Sequence, residues 1–245
     1  MKNTFLSLRE YVSGVKGLIF DYGGTIDTDG RHWSSVIWDA WQKAGVGAEY
    51  PVFREAYVYA ERELARTRHI LPEHDFADVL RIKVNIQLQW LAEQGAFPAA
   101  EVGPGAARIA DICHQYASSC VEKAKPVLQA LGAKFPMVLV SNFYGNISTV
   151  LENFGIKQYF RKIIESAVVG VRKPDPEIFS LGVKALGLAK GECLVVGDSY
   201  RKDIEPALKA GCKAIWLEGE GWDADSVEGY DYRISSLSQL SDILL

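Results

Sequence analysis

The sequence has neither a long apolar run nor a surplus of positive charge. A membrane-spanning helix needs about 20 consecutive apolar residues, and the apolar runs of this chain are far shorter, so we expect no contact with a membrane. The formal net charge is −4, and no run of lysine or arginine dominates any segment, which argues against nucleic acid as a partner. A small anionic molecule, held by one local cationic pocket, remains compatible with this charge.

Cysteine is scarce, and its spacing excludes the common metal and redox motifs. The four cysteines form no CxxC pair and have no histidine at zinc-finger spacing. The N-terminal stretch mixes polar and apolar residues and has neither the apolar segment nor the cleavage site of a secretory signal. We therefore expect a protein of the reducing cytoplasm.

Short apolar runs alternate with helix-forming segments. The runs are rich in β-branched residues and lack strict alternation, which predicts buried parallel strands at residues 15–20, 137–140, 163–169, 193–196 and 213–217. Helices are predicted at residues 126–134, 147–154, 175–186 and 204–210. This order predicts an α/β fold with a doubly wound parallel sheet, whose ligands bind beyond the carboxyl ends of the strands.

A long helical segment separates the first two predicted strands. Trp33, Ile37 and Trp41 share one face of a predicted helix within it, and this aromatic face is typical of packing inside a helical unit. A crossover between parallel strands needs only about 10–12 residues, so we predict an inserted, all-helical cap domain. The predicted domains are a core of residues 1–31 and 121–245 and a cap of residues 32–120.

The first predicted strand ends in an aspartate that is followed by two glycines and a threonine, in GLIFDYGGTID. Asp21 lies at the strand end, where a carboxylate faces the ligand site of such a sheet. Gly23 and Gly24 allow backbone N–H groups to approach a ligand closely. Taken alone, this motif is equally compatible with a solvated aspartate in a turn.

The second and third motifs provide a hydroxyl, an amide and a cation. Ser141 and Asn142 end the next strand, where they are able to bind an oxyanion, although such a pair is also common at helix caps. Lys173 precedes Pro174 and a predicted helix start. Proline at a helix start fixes the entry angle of the chain, which holds the lysine near the strand ends.

The fourth motif adds two carboxylates. Asp198 closely follows an apolar strand, and Asp203 comes five residues later. Beside Asp21, these groups would repel one another unless a cation joined them. Mg²⁺ prefers hard oxygen ligands and usually keeps several of its bound waters, so a site of a few carboxylates suits it. Each motif alone is weak, but the four in this order, each at or just after a strand end, predict one site at the edge of the sheet.

This set of motifs resembles the haloacid dehalogenase superfamily over residues 20–211. The resemblance implies a Rossmann-like core with strand order 5-4-1-2-3 and a mobile cap inserted after the first motif. It implies that the catalytic residues are Asp21, Ser141 and Lys173, and that phosphate is bound by Ser141, Asn142 and Lys173. It also implies a Mg²⁺ site formed by Asp21, the backbone carbonyl of Gly23, Asp198 and Asp203.

The resemblance implies a Mg²⁺-dependent phosphatase of small phosphorylated metabolites. Asp21 would attack phosphorus and form an aspartyl phosphate, which water then hydrolyses. One departure from the family pattern matters. Family phosphatases usually have an acid–base aspartate two residues after the nucleophile, and this chain has Gly23 there. General acid–base catalysis is worth about 10²–10⁴-fold in rate.

Four explanations of the glycine remain open. A good leaving group, or a substitute such as Asp27, Asp29 or a cap residue, would preserve phosphatase activity. A phosphonatase-like reaction tolerates a small residue but needs a cap lysine, and the predicted cap has only Lys43 and Lys83. A dehalogenase-like reaction fits the Ser-Asn pair but not an aspartate in the fourth motif. In the fourth explanation, the protein is a weak enzyme or a non-catalytic metabolite-binding protein that keeps the fold and the metal site.

The predicted cap also contains four arginines as candidate substrate contacts. They are Arg54, Arg62, Arg66 and Arg68. Several glutamates lie among them, and such a mixture of charges is more typical of a solvated helix face with surface ion pairs.

Overall fold

The computed structural model describes residues 7–219 and 229–245. Residues 1–6 and 220–228 of the predicted core therefore lie outside the described ranges. One parallel sheet has the order β3-β2-β1-β4-β5-β6. Its strands are β1 (Gly17–Phe20), β2 (Met137–Ser141), β3 (Lys162–Glu165), β4 (Cys193–Gly197), β5 (Lys213–Leu217) and β6 (Arg233–Ile234). The first five strands have the predicted order, so the doubly wound α/β core is confirmed.

Helices cover the sheet and fill the segment between its first two strands. They are α1 (Leu8–Tyr11), α2 (Trp33–Lys43), α3 (Tyr50–Arg66), α4 (Phe76–Glu93), α5 (Val102–Lys134), α6 (Ile147–Asn153), α7 (Ser166–Val169), α8 (Glu177–Leu186), α9 (Glu205–Lys209) and α10 (Gln239–Leu244). None of the helices in the described part of the chain has the length and apolarity needed to cross a membrane.

The central strands are buried because helices cover both faces of the sheet. Side chains alternate between the faces, so Leu18 and Phe20 join one apolar cluster and Ile19 joins the other. Gly182 of α8 allows that helix to pack closely, since a Cβ there would lie 3.1 Å from Ile19. This packing fixes the strand ends, and hence the residues that follow them.

Two predicted element boundaries are wrong. The strand predicted at 163–169 ends at Glu165, and Ser166–Val169 forms a helical turn closed by Gly170 in the left-handed conformation. Val168 is 72% exposed, so the apolar run did not reflect burial. The helix predicted to begin at Pro126 is the last part of α5, which has 33 residues with the proline inside it. The two-residue strand β6 was not predicted, because so short a strand has no periodic pattern.

The insertion between β1 and β2 contains the helices α2 to α5. Ile37 and Trp41 of the predicted aromatic face are fully buried, as expected for packing, whereas Trp33 at the start of α2 is only partly buried. The helix α5 continues without a break past residue 120, where the cap was predicted to end. The domain boundaries therefore stay a prediction, in which one helix belongs to both units.

Candidate active site

The predicted carboxylates meet at the carboxyl edge of the sheet. Asp21 follows β1, Asp198 follows the adjacent strand β4, and Asp203 lies in the turn before α9. One oxygen from each of these carboxylates lies within 4.8 Å of the other two. Ser141 is the last residue of β2 and is buried at the same edge. The structure thus brings together side chains that are up to 182 positions apart in the sequence (203 − 21).

Lys173 joins two of these carboxylates. Its buried ammonium donates to Asp21 Oδ1 at 2.5 Å and to Asp203 Oδ1 at 2.6 Å. Burial alone would lower the pKa of Lys173, but the two carboxylates outweigh it and the pKa rises above its ordinary value. For Asp203 burial acts in the other direction and raises the pKa to about 6, although the charge of Lys173 opposes this rise. The cation therefore remains charged and fixed beside Asp21.

Thr25 bridges the nucleophile candidate and the fourth motif. Its hydroxyl lies 3.1 Å from Asp21 Oδ2 and 3.3 Å from Asp198 Oδ1, and its one proton serves either carboxylate. Burial, with the charges of Asp21 and Asp203, raises the pKa of Asp198 well above its ordinary value. Lys173 contacts two of the three carboxylates, Asp21 and Asp203, so one ammonium faces three acidic groups in the cluster. The hard oxygen ligands of the cluster fit a divalent cation such as Mg²⁺.

Asn142 has a different contact from the one predicted. Its side-chain Oδ1 accepts from the backbone N–H of Lys173 at 2.9 Å, and its Nδ2 donates to the Lys173 carbonyl at 3.1 Å. The side-chain amide therefore positions the backbone of Lys173. The contact of Asn142 with phosphate stays a prediction, and it would be made by the backbone N–H of Asn142. No local sequence pattern predicts this Asn142 clamp on Lys173, because the two residues lie 31 positions apart in separate loops.

Glu165 is a further buried carboxylate that the motifs missed. It ends β3 and accepts from the backbone N–H of Gly145 at 2.6 Å and of Ile147 at 3.3 Å. These bonds order the loop that follows Ser141. Burial raises the pKa of Glu165, and the same backbone bonds oppose this rise. A polar residue at a strand end was the available signal, but the misplaced end of β3 concealed it.

The two glycines after Asp21 have different surroundings. Apart from its two chain neighbours, a Cβ at Gly23 would meet no heavy atom of the described residues within 4 Å. A Cβ at Gly24 would lie 2.2 Å from Asp198 Oδ2, and Gly24 has φ +95°. Gly24 is thus required for the close approach of Asp198, whereas Gly23 leaves open space beside the nucleophile candidate.

This difference predicts a large effect of Gly24→Ala on activity. The methyl group would displace the Asp198 carboxylate, and a side chain at positive φ costs about 1–2 kcal/mol. A displacement near 1 Å in a catalytic site can cost about 10²-fold in rate, so we expect a loss of kcat/KM on that scale. Gly23→Ala, the matched variant, should cost much less. Equal losses in a steady-state assay of both variants would contradict this interpretation.

Asp27 connects the loop after Asp21 to the cap. Its fully buried carboxylate accepts from the backbone N–H of Gly24 at 2.7 Å and from Trp33 Nε1 at 2.9 Å. Burial raises the pKa of Asp27 to about 7, while these hydrogen bonds oppose the rise. Asp29 faces elsewhere, since it accepts from the backbone N–H of Leu237 at 2.8 Å. Of the two proposed substitutes for an acid at position 23, only Asp27 lies in the buried part of this loop.

The raised pKa of Asp27 predicts a pH-dependent stability. Between pH values near its ordinary pKa of 3.8 and the folded value of about 7, the folded chain retains a proton that the unfolded chain releases. Stability therefore falls as the pH rises through this window. Asp27→Asn cannot ionise and therefore lacks this pH dependence. The Tm of the variant minus the Tm of the original protein should be greater at pH 8 than at pH 5. One pKa unit is about 1.4 kcal/mol, so the relative Tm should change by several degrees. Melting curves of both proteins in EDTA measure this, and a difference that does not vary with pH would disprove the assignment.

The cap lysines occupy different environments. Lys43 is exposed near the end of α2, whereas Lys83 of α4 is buried and paired with Glu61 of α3. Burial alone would lower the pKa of Lys83, but the Glu61 carboxylate outweighs it and raises the pKa well above its ordinary value. The four cap arginines are all exposed, in agreement with a solvated face.

Comparison with known proteins gives one family. A family model described as haloacid dehalogenase-like hydrolase matches residues 15–211. Glyceraldehyde 3-phosphate phosphatase of Methanocaldococcus jannaschii is 39% identical over 95 residues, which cover 38% of this chain and 42% of the relative. The uracil-derivative phosphatase YigB of Escherichia coli is 26% identical over 196 residues, 76% of this chain and 80% of the relative. The chain thus spans less than half the length of the first of these relatives.

A solved structure agrees with the fold. The HAD-hydrolase YfnB of Bacillus subtilis, solved with bound magnesium, has a TM-score of 0.59 and 18% identity. The alignment covers 94% of this chain and 98% of that chain. The likeness therefore extends over both the sheet and the helical insertion.

Proposed function

The chain belongs to the haloacid dehalogenase-like hydrolases, and from this we propose that it is a Mg²⁺-dependent phosphatase of small phosphorylated metabolites. The main support is the geometry of Asp21, whose carboxylate lies within a buried acidic cluster and is bonded to the ammonium of Lys173. The names of two relatives, both phosphatases, favour phosphate esters as the substrate class.

In the proposed reaction, Asp21 attacks phosphorus and the ester oxygen departs, leaving an aspartyl phosphate that water hydrolyses. Lys173 and Thr25 hold the two oxygens of Asp21, so the carboxylate needs little reorientation before attack. Lys173 and the Ser141 hydroxyl would stabilise the transferred oxygens. The two hydrogen bonds from the Asn142 side chain hold the backbone of Lys173 in place for this role.

We assign the Mg²⁺ ligands to Asp21, the backbone carbonyl of Gly23 and Asp198. Both oxygens of Asp203 already have partners, Lys173 at 2.6 Å and the backbone N–H of Ser199 at 3.1 Å. Asp21 Oδ2, in contrast, faces only the Thr25 hydroxyl, which can donate to Asp198 instead. Asp203, held by a backbone N–H and an ammonium, is therefore better suited to orient the other groups, or a water, than to bind the ion directly. When bound, Mg²⁺ would offset the repulsion between the anionic nucleophile and the phosphate.

Two alternative reactions fit the site less well. A phosphonatase-like reaction needs a neutral cap lysine as the nucleophile for a Schiff base, but the pairing with Glu61 keeps Lys83 protonated. A dehalogenase-like reaction leaves the acidic cluster around Asp198 without a use. A non-catalytic binding protein is the remaining alternative.

Hydrolysis of p-nitrophenyl phosphate tests the proposal directly, because its phenolate leaves with little need for a proton. We expect turnover with Mg²⁺ and loss of turnover in EDTA, followed by recovery when Mg²⁺ is returned. Absence of turnover together with binding of inorganic phosphate, measured by calorimetry, would favour the binding protein.

A further inference from the structure

A buried ion pair lies in the cap, outside the four motifs. Lys83 of α4 pairs with Glu61 of α3, and the side chains are 10% and 39% exposed respectively. The ammonium also lies 5.2 Å from the centre of the Tyr57 ring. Lys83 is therefore fixed within the cap, whereas the Glu61 side chain is partly exposed to solvent.

The pair faces a loop of the catalytic core. Burial and the Glu61 carboxylate raise the pKa of the Tyr144 hydroxyl, while Lys83 and Arg172 oppose this rise. Tyr144 lies three residues after Ser141, and Arg172 directly precedes Lys173. The ion pair is thus close to the loops that hold two of the proposed catalytic residues.

Aromatic contacts connect the same loop to the nucleophile candidate. The rings of Tyr144 and Phe143 lie 5.2 Å apart, and Phe143 lies 5.8 Å from the ring of Tyr22, the neighbour of Asp21. Phe76, at the start of α4, lies 6.0 Å from the same Tyr22 ring. The helix that bears Lys83 therefore begins close to the residue that follows Asp21.

A second polar group follows Lys83 on the same face of α4. Gln87 is one turn further along and fully buried. In the part of the chain that the structure describes, neither its amide nitrogen nor its amide oxygen has a hydrogen-bond partner. Buried amides are nearly always hydrogen-bonded, so an unpaired one beside a buried cation indicates a place for a polar ligand.

The two charges of the pair differ in what they can do when a ligand arrives. Glu61 is the more exposed member of the pair, so its carboxylate loses less hydration in the pair and regains water when it turns outward. Lys83 cannot follow it and would be left as an unpaired buried charge, which is strongly unfavourable. Another carboxylate is the natural replacement, because it has the same shape and charge as the group that leaves.

We propose that Lys83 binds a carboxylate on the alcohol portion of the substrate, and that Glu61 is its counter-ion when no substrate is bound. The substrate class is then phosphate monoesters of hydroxy acids. This inference rests on the proposed phosphatase function, because it assigns the leaving group of the same site. It also predicts opposite effects for the two members of one ion pair, which a purely structural pair would not produce.

The test uses two ligands that differ only in the proposed group. 3-Phosphoglycerate has a carboxylate where glycerol 3-phosphate has a hydroxymethyl group. Each is measured as a competitive inhibitor of p-nitrophenyl phosphate hydrolysis, so neither ligand has to be the natural substrate. The quantity compared is the ratio of the inhibition constant of glycerol 3-phosphate to that of 3-phosphoglycerate. The variants are Lys83→Met and Glu61→Gln, with Lys43→Met as the matched cap-lysine control.

We expect the original protein to prefer 3-phosphoglycerate by about tenfold or more, the scale of a hydrogen bond to a charged group. Lys83→Met should bring the ratio near one, and Glu61→Gln should increase it above the original value, because the competing carboxylate is gone. Lys43→Met should leave the ratio as it is. If Lys83→Met does not fold, Glu61→Gln decides alone.

Three results would count against the inference. They are a ratio near one in the original protein, a ratio unchanged in Glu61→Gln, and a change of both variants in the same direction. Each leaves the phosphatase function standing, provided that hydrolysis still depends on Asp21. If no Asp21-dependent hydrolysis occurs, the proposed function itself is wrong and the leaving-group assignment is withdrawn with it.

Discussion

Replacement of Asp21 by asparagine should reduce p-nitrophenyl phosphate turnover by about 10⁴-fold or more, the scale on which removal of a catalytic nucleophile acts. The amide has nearly the shape of the carboxylate and keeps an oxygen for the Lys173 bond, but it cannot form the acyl phosphate. The loss should therefore appear in kcat, whereas the Tm should stay close to that of the original protein.

The control for this variant is Asp111→Asn, an equivalent change at an exposed position of α5. Both proteins are assayed with saturating Mg²⁺ after their melting curves have been compared. Turnover of Asp21→Asn within tenfold of the original protein would exclude the aspartyl phosphate route, and Asp198 and Asp203 would then need testing in the same way.

The second large effect is a gain of activity in Gly23→Asp. In the described ranges, no atom beyond the two chain neighbours lies within 4 Å of a Cβ at this position. Gly23 is also not among the glycines with positive φ, so a side chain fits without strain. An aspartate there would supply the proton that an alkoxide leaving group needs. Such catalysis is worth about 10²–10⁴-fold, so we expect glycerol 3-phosphate hydrolysis to rise by about 10²-fold.

Aryl phosphate provides the internal comparison, because its leaving group needs little protonation and its rate should change far less. Gly23→Asn is the matched variant, with a similar volume and no acidic proton. If Gly23→Asp gives no gain on the alkyl ester, another group already supplies the proton. Asp27 is then the first residue to test, because its carboxylate is hydrogen-bonded to the neighbouring Gly24.

The sequence predicted the sheet and the assembly of the acidic cluster for the same reason. Asp21, Ser141 and Asp198 each end or follow an apolar run, and the carboxyl ends of parallel strands meet at one edge. Strand order followed from the family resemblance, and the structure confirms it for five strands. The clustering of these residues at one edge of the sheet was therefore predictable without any knowledge of side-chain contacts.

The contacts that refine the site were not predictable from local patterns. The Asn142 clamp on Lys173 and the contact of Thr25 with Asp198 join residues from distant segments. Lys83 appeared only as one of two cap lysines, and its burial against Glu61 depends on how α3 and α4 pack. Propensity and periodicity describe single elements, whereas these contacts arise from the packing of several.

The continuous helix α5 would restrict how the predicted cap moves. With 33 residues, it is about 50 Å long and runs without a break from the predicted cap into the predicted core. A stiff helix shared by the two predicted units would favour tilting of the cap over its separation from the sheet. Proline removes one hydrogen bond from a helix and favours bending there, so Pro126 is the position in α5 where such a tilt would occur. Because the helix is long, a small change of angle at Pro126 would move its N-terminal end by several ångströms.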